Sequence, residues 1–340
     1  MPSKDSKGKV KKILKSKLFH GLLGVAISLG LIIWMYFIID WSSVGNQISN
    51  ANYWVLFPAT LLLAFHYFIR AYRWRFLLPE GHKVSIKTSF DALGVGNLAT
   101  NVLPLRAGEF IRPGFLCLQS NYAFSTCFVS VVIERFFDLS VVLLCFGVMV
   151  FYIPDIPGWA HHGAFLLTGV AFGILLFMIC GALIPEKLLS ISDFFVRFFP
   201  AFLREKIRIF LKDFLLGATV LRGKWVLLVV SALSFAVWFT GFIFLYAFFF
   251  LFHLDASFWV ACSVTIIIAL AVAAPSAPGF IGVYQTACIA AFALFGVNKE
   301  IAVAYAIITH AFQYIIFVVY GMVVLVQSDL RLRDIRRASS

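Results

Sequence analysis

Six long apolar stretches constrain this chain more than any other feature: residues 18–39, 53–69, 123–152, 163–184, 225–251 and 301–327. Each approaches or exceeds the roughly 20 residues that a helix needs to cross the hydrocarbon core of a bilayer. Backbone groups cannot go unpaired in hydrocarbon, so only helices or closed barrels span it, and runs of this length are helical. Composition agrees: of 340 residues only 13% are charged and 62% are hydrophobic, against about 25% charged in a soluble domain. The expectation is an all-α, polytopic helical membrane protein with about six to eight spans.

Charge placement sets sidedness. The net charge is +12. Seven lysines lie in tail 1–17, and further basic residues in loop 70–87 (Arg70, Arg73, Arg75, Lys83, Lys87), loop 185–224 and tail 328–340 (Arg331, Arg333, Arg336, Arg337). Loops 40–52, 153–162 and 252–257 contain neither Lys nor Arg. The positive-inside rule then places the basic set and both termini in the cytoplasm. Basic residues gathered in this way read as orientation and attraction to anionic lipid, not as nucleic-acid binding. The first apolar run is too long for a signal-peptide core, and no small-residue cleavage site follows, so it reads as a retained span.

Two segments are irregular. Parity requires residues 88–122 to enter and return on the inner side, and 258–296 to do so on the outer side. Each is a re-entrant hairpin or a pair of spans. Asp91, Asn97, Asn101 and Pro104 favour a hairpin in the first, while both readings stand for the second, broken by APSAPGFIG. The order span, span, broken hairpin, span thus occurs over 18–152 and again, in opposite orientation, over 163–327. An inverted repeat would produce that order, and in transporters paired Gly/Pro interruptions mark the substrate site. The whole of 18–327 forms one transmembrane domain between two basic tails. Within it, 185–224 alternates Phe and Leu with Arg and Lys and is broken by Pro200. It reads as amphipathic helices on the inner leaflet, either sensing lipid or merely connecting.

Three constellations could carry chemistry. In PLRAGEFIRPG, Arg106, Glu109 and Arg112 would share a face if helical. A helix broken there by Pro104 and Gly108 exposes N–H groups, which with two arginines suit an anion such as a lipid phosphate. The alternative is a loop with a local ion pair. In ERFFD, Glu134, Arg135 and Asp138 sit inside an apolar helix. Glu134 lies about 16 Å along it at about 1.5 Å per residue, near mid-bilayer. Charges at that depth face the bundle interior and mark functional sites by default. The alternative is a neutralised cluster gluing this helix to Arg106 or Arg112. In APSAPGFIGVYQ, Pro275, Pro278, Gly279 and Gly282 break a helix and free its backbone groups, as a ligand site or a simple turn would.

Other signals carry less. Gly94 and Gly96 imitate a dinucleotide fingerprint, but no strand precedes them. Gly169 and Gly173 form a GxxxG that reads as close helix packing. His66, in the second span, could relay protons, but a lone histidine there is more often a hydrogen-bonded packing residue. The six cysteines, Cys117, Cys127, Cys145, Cys180, Cys262 and Cys288, read as small apolar core residues without disulfides. No metal, nucleotide or other cofactor motif is visible, so no cofactor is expected.

GNLATNVLPLRAGEFIRPGFL, ERFFDLS and PSAPGFIGVYQ, in that order and spacing, resemble the lysylphosphatidylglycerol synthase transmembrane-region family. This family is also called flippase-like or UPF0104, and some members are named dolichol-phosphate-glucose synthetase-like. It includes the flippase half of bacterial multiple peptide resistance proteins. The resemblance covers residues 18–327. The positions it matches are Asn101, Pro104, Arg106, Gly108, Glu109 and Arg112, then Glu134, Arg135 and Asp138, then Pro275, Pro278, Gly279 and Gly282. Gln285 stands where the family often has Glu. Larger members carry a soluble aminoacyl-transfer domain, which is not expected here.

The leading expectation is a lipid translocase or lipid-binding protein for an anionic phospholipid or polyprenyl phosphate. Arg106, Arg112 and Arg135 would bind the head group. Glu109, Glu134 and Asp138 would hold the arginines or relay protons. Asn101, Pro104, Gly108, Pro275, Pro278, Gly279 and Gly282 would line the site. Movement would be downhill or coupled to an ion gradient. The alternatives are an intramembrane glycosyltransferase-like enzyme using a polyprenyl-phosphate sugar, and a non-catalytic partner of a separate lipid-modifying synthase.

Overall fold

The computed structural model describes residues 24–79, 84–104, 106–153, 158–273 and 276–328, and among these every regular element is helical. Helix α1 (Gly24–Ile38) turns by 90° into the short α2 (Trp41–Ser49). Asp40 makes the turn: its carboxylate accepts from Ser42 Oγ at 2.7 Å and the Ser42 amide at 3.0 Å. The long helices follow as α3 (Leu56–Phe76), α6 (Phe124–Met149), α7 (Gly158–Leu183), α10 (Lys224–Leu251) and α13 (Lys299–Gln327). Between them come α4 (Ile86–Val102) and α5 (Gly108–Leu118), α8 (Pro185–Val196) and α9 (Ala201–Ala218), and α11 (Phe258–Ala271) and α12 (Val283–Ala293).

Among the described residues, four helices are long and apolar enough to cross a membrane alone, and the bent α1–α2 pair makes a fifth. Helix α6 has the length, at 26 residues, but carries Glu134, Arg135 and Asp138. Large apolar side chains face outward, with Phe37 79%, Phe57 72% and Leu166 70% exposed. In water such a surface would drive association, whereas hydrocarbon solvates it. The protein is a multi-pass membrane protein.

Both irregular segments are helical hairpins. Helices α4 and α5 have 17 and 11 residues. Helices α11 and α12 have 14 and 11. All four fall short of the roughly 20 needed for a full span. The pairing of elements repeats when the two halves are exchanged. Contacts α3–α4, α4–α5, α5–α6 and α4–α13 answer to α10–α11, α11–α12, α12–α13 and α11–α6, with α3 and α10 packed together at the centre.

Three sequence expectations need correction. The span read as 53–69 continues as helix to Phe76. Arg70, Arg73 and Arg75 are therefore helix residues and not members of a loop 70–87. Arg73, at 0% exposure, cannot report the polarity of a loop. The Gly169/Gly173 pair packs against no other described residue, since a methyl group added at either would meet only open space. Close packing is carried by other glycines: Gly96 and Gly108 let α4 and α5 touch, and a methyl on Gly321 would come 2.8 Å from the Gly94 carbonyl, between α13 and α4. The amphipathic segment does split around Pro200. Its second helix is not merely interfacial, because Phe214, Leu215 and Ala218 are buried in the core.

Candidate functional site

The apolar run of α6 leaves no water to solvate its three charged residues, so neighbouring helices must supply partners. Glu134 is fully buried, and four guanidinium groups surround it. Arg112 of α5 donates to it bidentately, at 3.0 and 2.6 Å. Arg135 donates at 3.0 Å. From α3 come Arg73 at 3.2 Å and Arg70 at 3.5 Å. Asp138, one turn along, accepts from Arg73 Nη1 at 2.6 Å and lies 3.5 Å from Arg135. The same Arg73 nitrogen donates to Ser234 of α10 at 2.9 Å. The Arg112 guanidinium lies 3.8 Å over the ring of Trp74, whose Nε1 donates to Ser130 at 2.8 Å. At the rim, Glu109 lies 3.8 Å from Arg135. Spacing explains the fit: Arg70 and Arg73 are i,i+3 on α3, and Glu134 and Asp138 i,i+4 on α6, so each pair presents one face.

Four arginines against three carboxylates leave this cluster with one uncompensated positive charge. It is not sealed. Arg70, Arg135 and Asp138 line a cavity of about 240 Å³ between α3, α6, α10, α11, α12 and α13. Its other walls are mixed, with apolar Leu63, Val237, Phe244 and Ile268 beside polar Thr265, Tyr284 and Gln313. That volume equals about eight water molecules at about 30 Å³ each, enough for a phosphate and a few attached atoms. Two lining residues carry a buried donor without an acceptor, Arg70 Nε and Trp238 Nε1. His66 also lines the cavity and lies 3.1 Å from Thr240 Oγ1.

The hairpin tips meet beside this cluster. The Asn101 carbonyl is 3.2 Å from where a Gly279 side chain would begin, and the Asn101 amide donates to the Asn97 carbonyl at 2.9 Å. Arg106, at φ 53°, donates to the Val272 carbonyl and stands 5.4 Å over the Phe280 ring. It precedes α5, so it does not share a helical face with Glu109 and Arg112. Gly279 and Gly282 have φ of 70° and 87°, a region that residues with a side chain enter at a cost. Pro278 opens this turn. Pro104 is exposed at the first tip, Gly108 is buried against α4, and Pro275 lies outside the described residues.

The structure therefore brings Arg112, Arg135, Glu109, Glu134 and Asp138 together and sets Arg106 apart at the junction of the hairpins. Asn101, Gly108, Pro278, Gly279 and Gly282 build that junction, while other residues line the charged cavity. Sequence reasoning missed Arg70, Arg73, Ser234 and Trp238. Arg70 and Arg73 had a signal, being i,i+3 at the end of an apolar run. Ser234 and Trp238, inside a uniformly apolar stretch, had none.

A family model described as Lysylphosphatidylglycerol synthase TM region matches residues 21–321. The chain is 27% identical over 154 residues to a protein of Haloferax volcanii named Glycosyltransferase AglD. That match covers 45% of this chain and only 24% of the relative, so the two share about a quarter of the relative's length. No solved structure matches the chain.

Proposed function

The chain belongs to the lysylphosphatidylglycerol synthase transmembrane-region family, and from that premise we propose that it binds the phosphate head group of an anionic lipid in the charged cavity and carries it across the membrane. The observation that carries this reading is the cavity's mixed lining. Arg70 and Arg135 share it with apolar Leu63, Val237, Phe244 and Ile268, the two chemistries joined in an amphiphile. One uncompensated positive charge matches one phosphodiester anion. Both a phospholipid and a polyprenyl-phosphate sugar carry that group. Arg70 and Arg135 contact the phosphate, and Glu109, Glu134 and Asp138 hold the arginines in place. Arg112 serves as the counter-ion of Glu134, and Arg106 ties the hairpins together. The two hairpins are the matching interruptions of an inverted repeat spanning 18–152 and 163–327. The basic segments keep the termini in the cytoplasm and the protein in the cell membrane of a prokaryote.

Reconstituted vesicles test this directly. A labelled anionic phospholipid should change leaflets faster with the wild-type protein than in empty vesicles, and Arg135→Gln should remove most of that gain. Equal rates for the two proteins would overturn the role given to Arg135. The likeness to a glycosyltransferase favours a second reading, in which the cavity holds a polyprenyl-phosphate sugar for a transfer reaction. Consumption of such a lipid by the purified protein, with no leaflet exchange, would select it.

A further inference from the structure

The charged cavity is too small for a whole lipid, and the structure holds an apolar neighbour that fits the remainder. Between α6 and α10 runs a groove of about 380 Å³, lined by Val141, Cys145, Phe235, Ala236, Phe239 and Phe242 together with Trp238. Trp238 lines the charged cavity as well, so this residue borders both spaces. Helix α6 shows the same transition along one face: Arg135 and Asp138 border the cavity, and Val141 and Cys145 border the groove. Phe235 and Phe239 are 50% and 54% exposed, so the groove opens on the outer surface of the bundle. The Trp238 Nε1 donor is buried without an acceptor among the described residues. An indole N–H can only donate, and buried ones ordinarily find a partner.

We propose that the α6–α10 groove holds the hydrocarbon chain of the lipid whose head group occupies the charged cavity, and that Trp238 binds the oxygen atoms at the junction of head and chain. This rests on the lipid-binding reading above. An amphiphile is the ligand class that needs a charged pocket, a donor and an apolar track in that order. An aqueous anion would make no use of the track. Bulk membrane lipid would cover the groove without any need for the donor.

The test uses the full-length protein in vesicles with a phosphatidylglycerol carrying a photoreactive diazirine in its acyl chain. Cross-links should concentrate on peptides bearing Val141, Cys145, Phe235 and Phe239, several-fold above those bearing the more exposed Phe165 and Leu166 of α7. Cys145→Trp, which fills the groove, should weaken binding of the long-chain lipid at least about tenfold and leave binding of glycerol phosphate unchanged. Trp238→Phe keeps the ring bulk and removes the donor. It should weaken binding of both ester-linked lipid and glycerol phosphate by about fivefold to tenfold. Uniform labelling of all outward faces means bulk lipid only and overturns the groove assignment, as does unchanged long-chain binding by folded Cys145→Trp. In both cases glycerol phosphate binding to wild type still upholds the head-group reading. If wild type binds neither probe, the head-group reading falls and the groove assignment with it.

Discussion

The two hairpins that meet in this protein are held by different forces. From Ile86 to Leu118 the first carries Lys87, Asp91, Arg106, Glu109 and Arg112, and its second helix is locked to α6 by the bidentate Arg112–Glu134 pair. From Phe258 to Ala293 the second has no charged residue at all. Its turn is held by backbone shape: Gly279 and Gly282 at positive φ, the Ala277 amide donating to Ser28 Oγ at 3.0 Å, and the Gly282 amide donating to Gln285 Oε1 at 2.8 Å. Helix α1 lies so close to this turn that a methyl on Gly24 would come 2.7 Å from the Ser276 carbonyl. The first hairpin thus adds ion pairs to the close approach that Gly96 and Gly108 allow, and the second relies on the absence of side chains without any charge. The lesson is that broken backbone in an apolar bundle can be satisfied by ion pairs or by close approach. Only the ion-paired version leaves a charge over for a ligand.

The difference can be probed by breaking each hairpin in its own currency. Glu134→Ala should be the most damaging change, because Arg112 would remain buried without its anion and Arg73 would keep Asp138 alone. About 3–5 kcal/mol of stability should be lost, visible as a large fall in the thermal unfolding midpoint in detergent. A smaller loss would mean that Asp138 and Ser234 suffice to hold the arginines. Gly282→Ala attacks the second hairpin. It combines a strained φ with a methyl 2.9 Å from the Ser28 carbonyl, and should cost about 1–3 kcal/mol by the same measurement. No change in the midpoint would show that α1 can move away freely. Gln285→Ala removes an acceptor from the amide that starts α12 and should cost about 1 kcal/mol. Gln285→Glu should recover most of that, since a carboxylate accepts the same hydrogen bond. Least affected should be Gly169→Ala. It meets open space in mid-helix and should be neutral or stabilising by up to about 1 kcal/mol. A clear loss there would restore the packing role first read into GxxxG.

Much of this was legible beforehand. Uninterrupted apolar runs announced α7, α10 and α13, and Pro200 announced the division of α8 from α9. Asp91, Asn101, Pro104 and the glycine-rich turn near Pro278 marked both hairpins. Boundaries at charged residues were harder. The end of the hydropathy run at 69 misplaced Arg70 and Arg73 into a loop, although a helix continues through arginines when their heads find carboxylates. Partner choice was harder still. Arg106 and Arg112 looked equivalent in PLRAGEFIRPG, yet one stacks on Phe280 at the junction and the other pairs with Glu134. That distinction depends on a left-handed residue at Arg106, and nothing in its side chain forecasts it.

What the sequence alone determined is the solvent and the alphabet of the fold. A chain with this little charge and runs this long must be helical and must sit in hydrocarbon, because unpaired backbone is prohibitive there. It also determined that the charges of α6 needed partners, for the same electrostatic reason. Only the tertiary structure decided which partners. Residues 73, 112, 138 and 234 come from four helices, and their convergence on one point is a property of packing. The excess positive charge exists only in that convergence, since it is a sum over helices far apart in sequence. The cavity and the groove beside Trp238 exist only in the packed bundle too, because a space is bounded by surfaces that no single segment contains.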